Sequence, residues 1–216
     1  MDAKLIREQA IRDAKSNLIL DAARRVFSEM GFFEARLEDI ATAAGFSKAA
    51  LYNYYVDKEE IFLSLAIHDL EMLYTKLSST INPNVSCLKN IEEMLCAVFN
   101  FWGKNSSLLL SVSNIQAKCS FHRDKILDKH KKLLAEVPKK FQRLLEQQTT
   151  VLKAARERGE ITSDIDDLQL ANYLSALVRG VIFQWQLSRK MGDVKQEVGQ
   201  LLKFMANGLG CPQATS

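Results

Sequence analysis

The chain predicts an all-α protein of about nine helices, with an N-terminal helix-turn-helix domain followed by a helical ligand-binding and dimerisation domain. Three observations carry that expectation. Apolar residues recur at intervals of three and four over most of the length, the period of helices buried on one face. Only 3 prolines and 9 glycines interrupt 216 residues, and several of the glycines directly follow an apolar stripe, where a left-handed residue ends a helix. Hydrophobic residues make up 47% and charged residues 25%, a balance that fits a packed helical protein and excludes a disordered one.

The first stripe is Ile19, Ala22, Ala23, Val26, Phe27 and Met30. Its spacing puts all six on one helix face, and Gly31 stops it. A shorter stripe, Leu37, Ile40, Ala41 and Ala44, stops at Gly45. Two short helices joined through Gly45-Phe46-Ser47 make a helix-turn-helix, and Ser47 is placed to cap the helix that follows. That third helix, about Lys48 to Tyr54, is too short to stand alone. Leu51 and Tyr55 face inward, which leaves Lys48, Ala49, Ala50, Tyr52 and Asn53 outward. Small side chains allow close approach to base edges, and alanine can pack on a thymine methyl. Asn53 can both donate and accept at an adenine edge, while lysine and tyrosine reach phosphates. Asp57 and Glu60 form a capping-box pattern for a fourth helix, and Lys58 lies at its positive end.

Taken in order, Ile19-Leu20-Asp21-Ala22-Ala23, Val26-Phe27, Gly31, Asp39-Ile40-Ala41, Ala44-Gly45-Phe46-Ser47, Leu51 to Tyr55 and Asp57 to Glu60 resemble the N-terminal domain of the TetR family of one-component transcription regulators. In that family the third helix enters the major groove and the start of the fourth meets the backbone. The resemblance therefore implies DNA contacts from Arg36, Ser47, Lys48, Ala49, Ala50, Tyr52, Asn53, Tyr54 and Lys58. Arg36 stands where the family usually has a capping Ser or Thr, and Ala49-Ala50 replace a common Gly-Thr pair.

The fourth helix carries Ile61, Phe62, Leu65, Ala66, Met72, Leu73 and Leu77 inward as far as about Thr80, and Asn82-Pro83-Asn84 ends it. The next stripe, Ile91, Met94, Leu95, Val98, Phe99 and Trp102, closes at Gly103. A shorter helix covers about Ser106 to Lys118. The register from Ile126 to Leu152 survives Pro138, which predicts a kink more than a break. A loop at Gly159-Glu160-Ile161 and Asp164-Ile165-Asp166 precedes two final helices, a pattern also similar to the family. Residues 168–188 are apolar on two faces, and the last helix has apolar surface in excess. Those two helices predict a four-helix homodimer seam built from Leu170, Tyr173, Leu177, Gly180, Val181, Val198, Leu202 and Met205. Aromatic and apolar side chains beyond the needs of a tight seam point to an effector pocket of Met94, Val98, Phe99, Trp102, Phe141, Leu145 and Trp185. His122, Gln184 or a lysine would serve as its polar anchor.

The domain limits expected are 1–57 for DNA binding and 58–216 for effector binding and dimerisation. Residues 1–60 hold nine Lys/Arg against eleven Asp/Glu, so DNA binding would rest on placement of cations and not on net charge. Residues 104–158 hold thirteen against five, which suits either an anion-binding rim or a solvated helix face. No catalytic residue, metal site or cofactor is expected: the three histidines and four cysteines form no recognisable nucleophile or zinc spacing, and Cys119 with His122 gives only one ligand pair. No apolar run reaches a membrane-spanning length of about 18 residues, and the start lacks an apolar leader core, so a cytoplasmic protein is expected. The function expected is a ligand-responsive DNA-binding repressor. It would bind double-stranded, near-palindromic DNA as a homodimer and be released by a largely apolar small molecule. The alternative is a helical small-molecule-binding protein whose helix-turn-helix is only a packing module.

Overall fold

In the computed structural model the backbone is described for residues 3–104, 106–188 and 190–207, and side chains for the same residues except 103–128 and 186. Eight helices occupy the described residues: α1 Ala3–Met30, α2 Leu37–Ala44, α3 Lys48–Leu51, α4 Lys58–Thr80, α5 Cys87–Lys104, α6 Ser106–Glu157, α7 Asp167–Ser188 and α8 Val194–Asn207. The two stretches expected to be separate helices after residue 106 run as one, α6, which continues through Pro138. The chain divides into two compact units, Met1–Glu71 with Asn105–Lys140, and Met72–Lys104 with Phe141–Ser216.

The first unit is built on α1, which begins sixteen residues before its apolar stripe. The extension is rich in Ala, Leu, Arg, Gln and Lys, which favour helix without burial, and its side chains are almost all exposed. From Ile19 onward the helix turns Ile19, Leu20, Ala22, Ala23, Val26 and Phe27 into the core. Met30 departs from that stripe, at 47% exposed, because the helix ends beside it. Phe62 packs edge to face on Phe27 and on Phe32, and Phe27 lies tilted against Phe32, with centroids 4.9–5.7 Å apart, geometries that aromatic quadrupoles favour. Within α4, Ile61, Phe62, Leu65 and Ala66 are buried as expected, with Leu63 and Leu70 added.

The second unit takes Leu73 and Leu77 from α4 into its core, whereas Met72 is 54% exposed and lies off the stripe. Asn90, buried on α5, fastens the loop after α4. Its Oδ1 accepts the Asn82 N–H at 2.8 Å and its Nδ2 donates to the Asn82 carbonyl at 2.9 Å, so both amide ends are satisfied. Arg156, near the end of α6, ties the next loop by donating to the Asp167 carboxylate at 2.8 Å and to the carbonyls of Ile165 and Ser163. Cys87, Leu152, Ala155 and Ala171 form a core where α5, α6 and α7 meet.

Candidate nucleic-acid interface

α3 is the piece of this fold most dependent on its neighbours, at only four residues. Ser47 Oγ accepts the Ala50 N–H at 3.1 Å, the expected cap. Helical geometry ends at Leu51, three residues before the expected limit. Turns of the i to i+3 kind then carry the backbone on, with Asn53 N–H to Ala50 O at 3.2 Å and Tyr54 N–H to Leu51 O at 2.9 Å. At the preceding turn Gly45 has φ 73°, a left-handed geometry only glycine adopts without cost. It lets the Phe46 N–H reach the Ala41 carbonyl at 2.9 Å.

The reading segment is held from behind by α1. Arg12 donates to the Asn53 carbonyl at 3.2 Å and stands 5.4 Å from the Tyr54 ring centroid. Ser16 Oγ and Tyr55 Oη are hydrogen-bonded at 2.6 Å, and Arg25 donates to the Ala43 carbonyl at 3.2 Å. Leu51 and Tyr55 are buried, and Tyr54 packs edge-on to Phe46 at 5.9 Å. Burial raises the Tyr55 hydroxyl above its ordinary pKa against the opposing hydrogen bond from Ser16. The phenol therefore stays neutral and keeps that hydrogen bond.

Against this support the side chains of Ser47, Lys48, Ala49, Tyr52 and Asn53 stand exposed, with Ala50 half-buried. Lys48 forms an ion pair with Glu38 of α2, an exposed pair of the kind that contributes little stability and that a phosphate can replace. Arg36 is exposed and makes no side-chain cap. Its backbone N–H donates instead to the Asp39 carboxylate at 2.8 Å, which supplies half of the cap that a Ser or Thr would have completed.

Lys58 requires a correction. It was expected at the DNA backbone, but its ammonium lies 3.0 Å from each of the carbonyls of Phe32, Phe33 and Ala35, and 4.9 Å from the Phe32 ring centroid. An ammonium has three donors, and all three are used within the protein. Its work is to tie the loop after α1 to the start of α4. The capping box at Asp57 is also only half as expected. Asp57 accepts the Glu60 N–H at 2.9 Å, whereas the Glu60 carboxylate reaches the Val56 N–H at 2.7 Å. Asp57 additionally holds Lys129 at 2.6 Å and His130 at 3.0 Å, both from α6. Despite a burial penalty, Lys129, the Glu60 N–H and His130 keep the Asp57 carboxyl below the usual range.

The residues expected to form an effector pocket divide into two groups. Met94, Val98, Phe99 and Trp102 are buried on α5, and Phe99 meets Trp185 of α7 with ring centroids 5.2 Å apart. Leu145 packs instead on the cluster around Cys87 and Leu152, and Phe141 is half-buried. Behind Trp185, Gly192 approaches so closely that an added Cβ would sit 2.7 Å from the indole Nε1. His122 and Cys119 lie outside the described side chains.

On α7, Tyr173, Leu177, Gly180 and Val181 line a single groove of about 580 Å3, joined by Ala176, Gln184 and Phe204. Phe204, 44% exposed on α8, was missed because it falls one position off the apolar stripe. Val198 is a correction. At 2% exposed it lies in the subunit's own core and is not available to a partner. Leu170 packs in part on its own core cluster, and Leu202 and Met205 are half-buried.

A short, exposed, capped helix held from behind by a long one defines a helix-turn-helix DNA-binding transcriptional regulator. A family profile described as "Bacterial regulatory proteins, tetR family" matches residues 19–65. Over residues 19–65 the chain carries the N-terminal domain that this family profile describes. It is 26% identical over 199 residues to the HTH-type transcriptional repressor BepR of Brucella suis biovar 1 (strain 1330), covering 90% of this chain and 91% of that one. Among solved structures it is similar to the fatty acid degradation regulator FadR from Bacillus halodurans, with TM-score 0.73, 19% identity and coverage of 90% and 96%. It also resembles the transcriptional regulator FadR from Bacillus subtilis in complex with stearoyl-CoA, with TM-score 0.71, 17% identity and coverage of 89% and 98%. At these identities the structural likenesses establish the fold alone. Among the described residues no helix is long and apolar enough to cross a membrane.

Proposed function

We propose that this regulator is a cytoplasmic homodimeric repressor that binds a near-palindromic operator and leaves it when a largely apolar small molecule binds the helical body. The functional division we assign is 1–57 for DNA reading and 58–216 for effector binding and dimerisation. The observation that carries the reading is the outward set Ser47, Lys48, Ala49, Tyr52 and Asn53, presented on a turn whose backbone is fixed by Arg12. Ala50, Tyr54 and Arg36 join that set at its edge. Rigid presentation favours sequence readout, because little side-chain and backbone freedom remains to be lost on binding.

A two-fold dimer would place two such segments in successive major grooves, about 34–36 Å apart or somewhat more. The α7 groove around Leu177 and Gly180 supports the dimer seam, since an apolar groove with a glycine floor accepts a partner helix. The buried aromatic group at Phe99 and Trp185 supports an apolar effector site, as does the stearoyl-CoA named with the Bacillus subtilis FadR structure. Effector and DNA would be coupled through differential affinity for two dimer geometries, needing only a few kcal/mol.

Footprinting on the chain's own promoter region tests the DNA role. Two protected half-sites related by a dyad are expected, and absence of any protection in that region refutes it. Long-chain acyl thioesters titrated into the complex test the effector class, with DNA release expected and a shifted midpoint for Phe99→Ala.

A further inference from the structure

α1 runs for about four turns ahead of its buried stripe, and those turns add nothing to the core: the side chains of residues 3–15 are all exposed. A helical segment that buries nothing acts through its surface, and here the charges on that surface are sorted. Lys4, Arg7, Ile11 and Lys15 follow at intervals of three and four, which places them along one side of the helix. Asp13 lies on the opposite side, where its carboxylate accepts from Gln9 Nε2 at 2.7 Å. Glu8 borders the basic stripe, but the Lys4 ammonium stands 4.0 Å from it and offsets its charge. Arg7 and Lys15 remain as net positive charge, and neither has a hydrogen-bond or ion-pair partner among the described residues.

The stripe runs beside the reading segment. Arg12, between Ile11 and Lys15, is the residue that donates to the Asn53 carbonyl and stands over the Tyr54 ring. Leu5, Glu8, Gln9, Ile11 and Arg12 form with Tyr54 the walls of a notch of about 380 Å3. Ile11 belongs to both stripe and notch, so the cations flank the segment that presents Asn53. A helix seated in the major groove lies between two phosphate backbones about 12 Å apart. What stands alongside such a helix meets phosphate and not base edges.

The reading head has few other cations to offer. Residues 1–60 hold nine Lys/Arg, but Arg24, Arg25 and Lys58 are held inside the protein and Lys48 is paired with Glu38. Affinity for DNA comes in large part from neutralised phosphates. We propose that the Arg7 and Lys15 side of α1 is a second DNA-contacting surface, gripping the phosphate backbone beside the bases that α3 reads. This surface presupposes the DNA-reading role assigned to residues 1–57 and extends it ahead of Ile19. Arg7 and Lys15 are eight positions apart, about 12 Å along the helix. A DNA strand presents a phosphate about every 3.4 Å of its axis, so the two side chains reach different phosphates.

Binding of the full-length protein to its promoter fragment and to an unrelated duplex, measured across salt concentrations, tests the surface. Arg7→Gln with Lys15→Gln should lower the slope of log K against log salt by about 1.8 per subunit, two phosphate contacts, and each single variant by about half of that. Base preferences should stay those of the wild type. Glutamine is a good helix former, and far-UV circular dichroism should be unchanged. Arg7→Lys should keep the wild-type slope, since the contact needs only the charge. Lys76→Gln with Lys153→Gln removes the same net charge from exposed sites of the other unit and should leave the slope unaltered.

A wild-type slope in the Arg7 and Lys15 double variant overturns this surface and leaves the reading role of α3 standing. An equal fall in the Lys76 and Lys153 variant also overturns it, because the effect is then one of net charge. Altered base preferences in the Arg7 and Lys15 variant overturn the backbone contact. A wild-type protein without affinity for either duplex overturns the surface and the DNA-reading role together.

Discussion

Arg24 of α1 closes on the buried carboxylate of Asp69 of α4 at two points, Nη2 to Oδ1 at 2.5 Å and Nε to Oδ2 at 3.4 Å. Asp69 is 1% exposed, and besides Arg24 only the neighbouring His68 Nδ1, at 3.4 Å, is seen near its carboxylate among the described residues. Arg24→Met should lower unfolding free energy by about 2–3 kcal/mol, slightly under the usual cost of orphaning a buried charge because Arg24 keeps some water. The double variant Arg24→Met with Asp69→Leu should regain most of that loss. Urea unfolding of the three proteins checks both statements, and a double variant less stable than the single one contradicts the argument.

Two lysines near the reading segment should separate cleanly. Lys58→Ala removes three hydrogen bonds inside the protein and should cost about 2 kcal/mol of stability, while the salt dependence of DNA binding stays that of the wild type. Lys48→Ala should leave stability almost unchanged and reduce the slope of log K against log salt by about 0.9, one phosphate contact. Binding isotherms at several salt concentrations, paired with melting curves, distinguish the two.

Asn53→Ala should relax preference at one base step without harming the fold, because Arg12 holds the backbone carbonyl of Asn53 and not its side chain. Arg12→Ala should instead weaken binding to all operator variants, through a looser turn. A binding selection over randomised half-sites reads the first effect. An Asn53→Ala protein with wild-type base preferences would rule out that contact.

The Asp57 carboxyl is held below its unfolded value, so its stabilisation is present above the unfolded carboxylate range, near pH 3.9. It is lost as pH falls through that range toward the lower folded value. Asp57→Asn should therefore be less stable than wild type by about 1 kcal/mol at neutral pH, and the two curves should converge in acid. Denaturant midpoints at pH 7, 5 and below the carboxylate range, at roughly pH 3 or lower, show whether they do.

Leu177→Asp, in the open groove of α7, should yield a folded monomer, since a charge cannot enter an apolar seam unpaired. Val198→Asp should unfold the subunit, because that site is its own core. Sedimentation together with circular dichroism tells monomer from unfolded chain, and a dimeric Leu177→Asp protein would remove this groove from the interface.

Residues 19–57 were legible in the sequence because short-range signals there agree. The stripe, the left-handed glycine and the serine cap all act within one or two turns. Lys58 was misread for a related reason: its position at a helix start is visible in sequence, but the three carbonyls that occupy it come from a loop more than twenty residues earlier. Val198 illustrates a second limit. An amphipathic period says which residues share a face, and cannot say whether that face meets its own subunit or another. The helical extension before Ile19 holds Leu5, Ile6, Ile11 and Leu18, but all four stay exposed, so no buried stripe marked it as a helix. Its contribution, Arg12 on the Asn53 carbonyl, spans 41 positions.

Gly192 behind Trp185 gives the molecule an optical asymmetry. The protein has two indoles. Trp102 is sealed, at 5% exposed, while Trp185 is half-buried between Phe99 and a loop that leaves no space for a methyl group. An aqueous quencher such as iodide should dim the second emission and spare the first. The blue edge of the spectrum then belongs to the interior of α5 and the red edge to the α7–α8 loop, so shifts at the two edges can be followed separately without any added label.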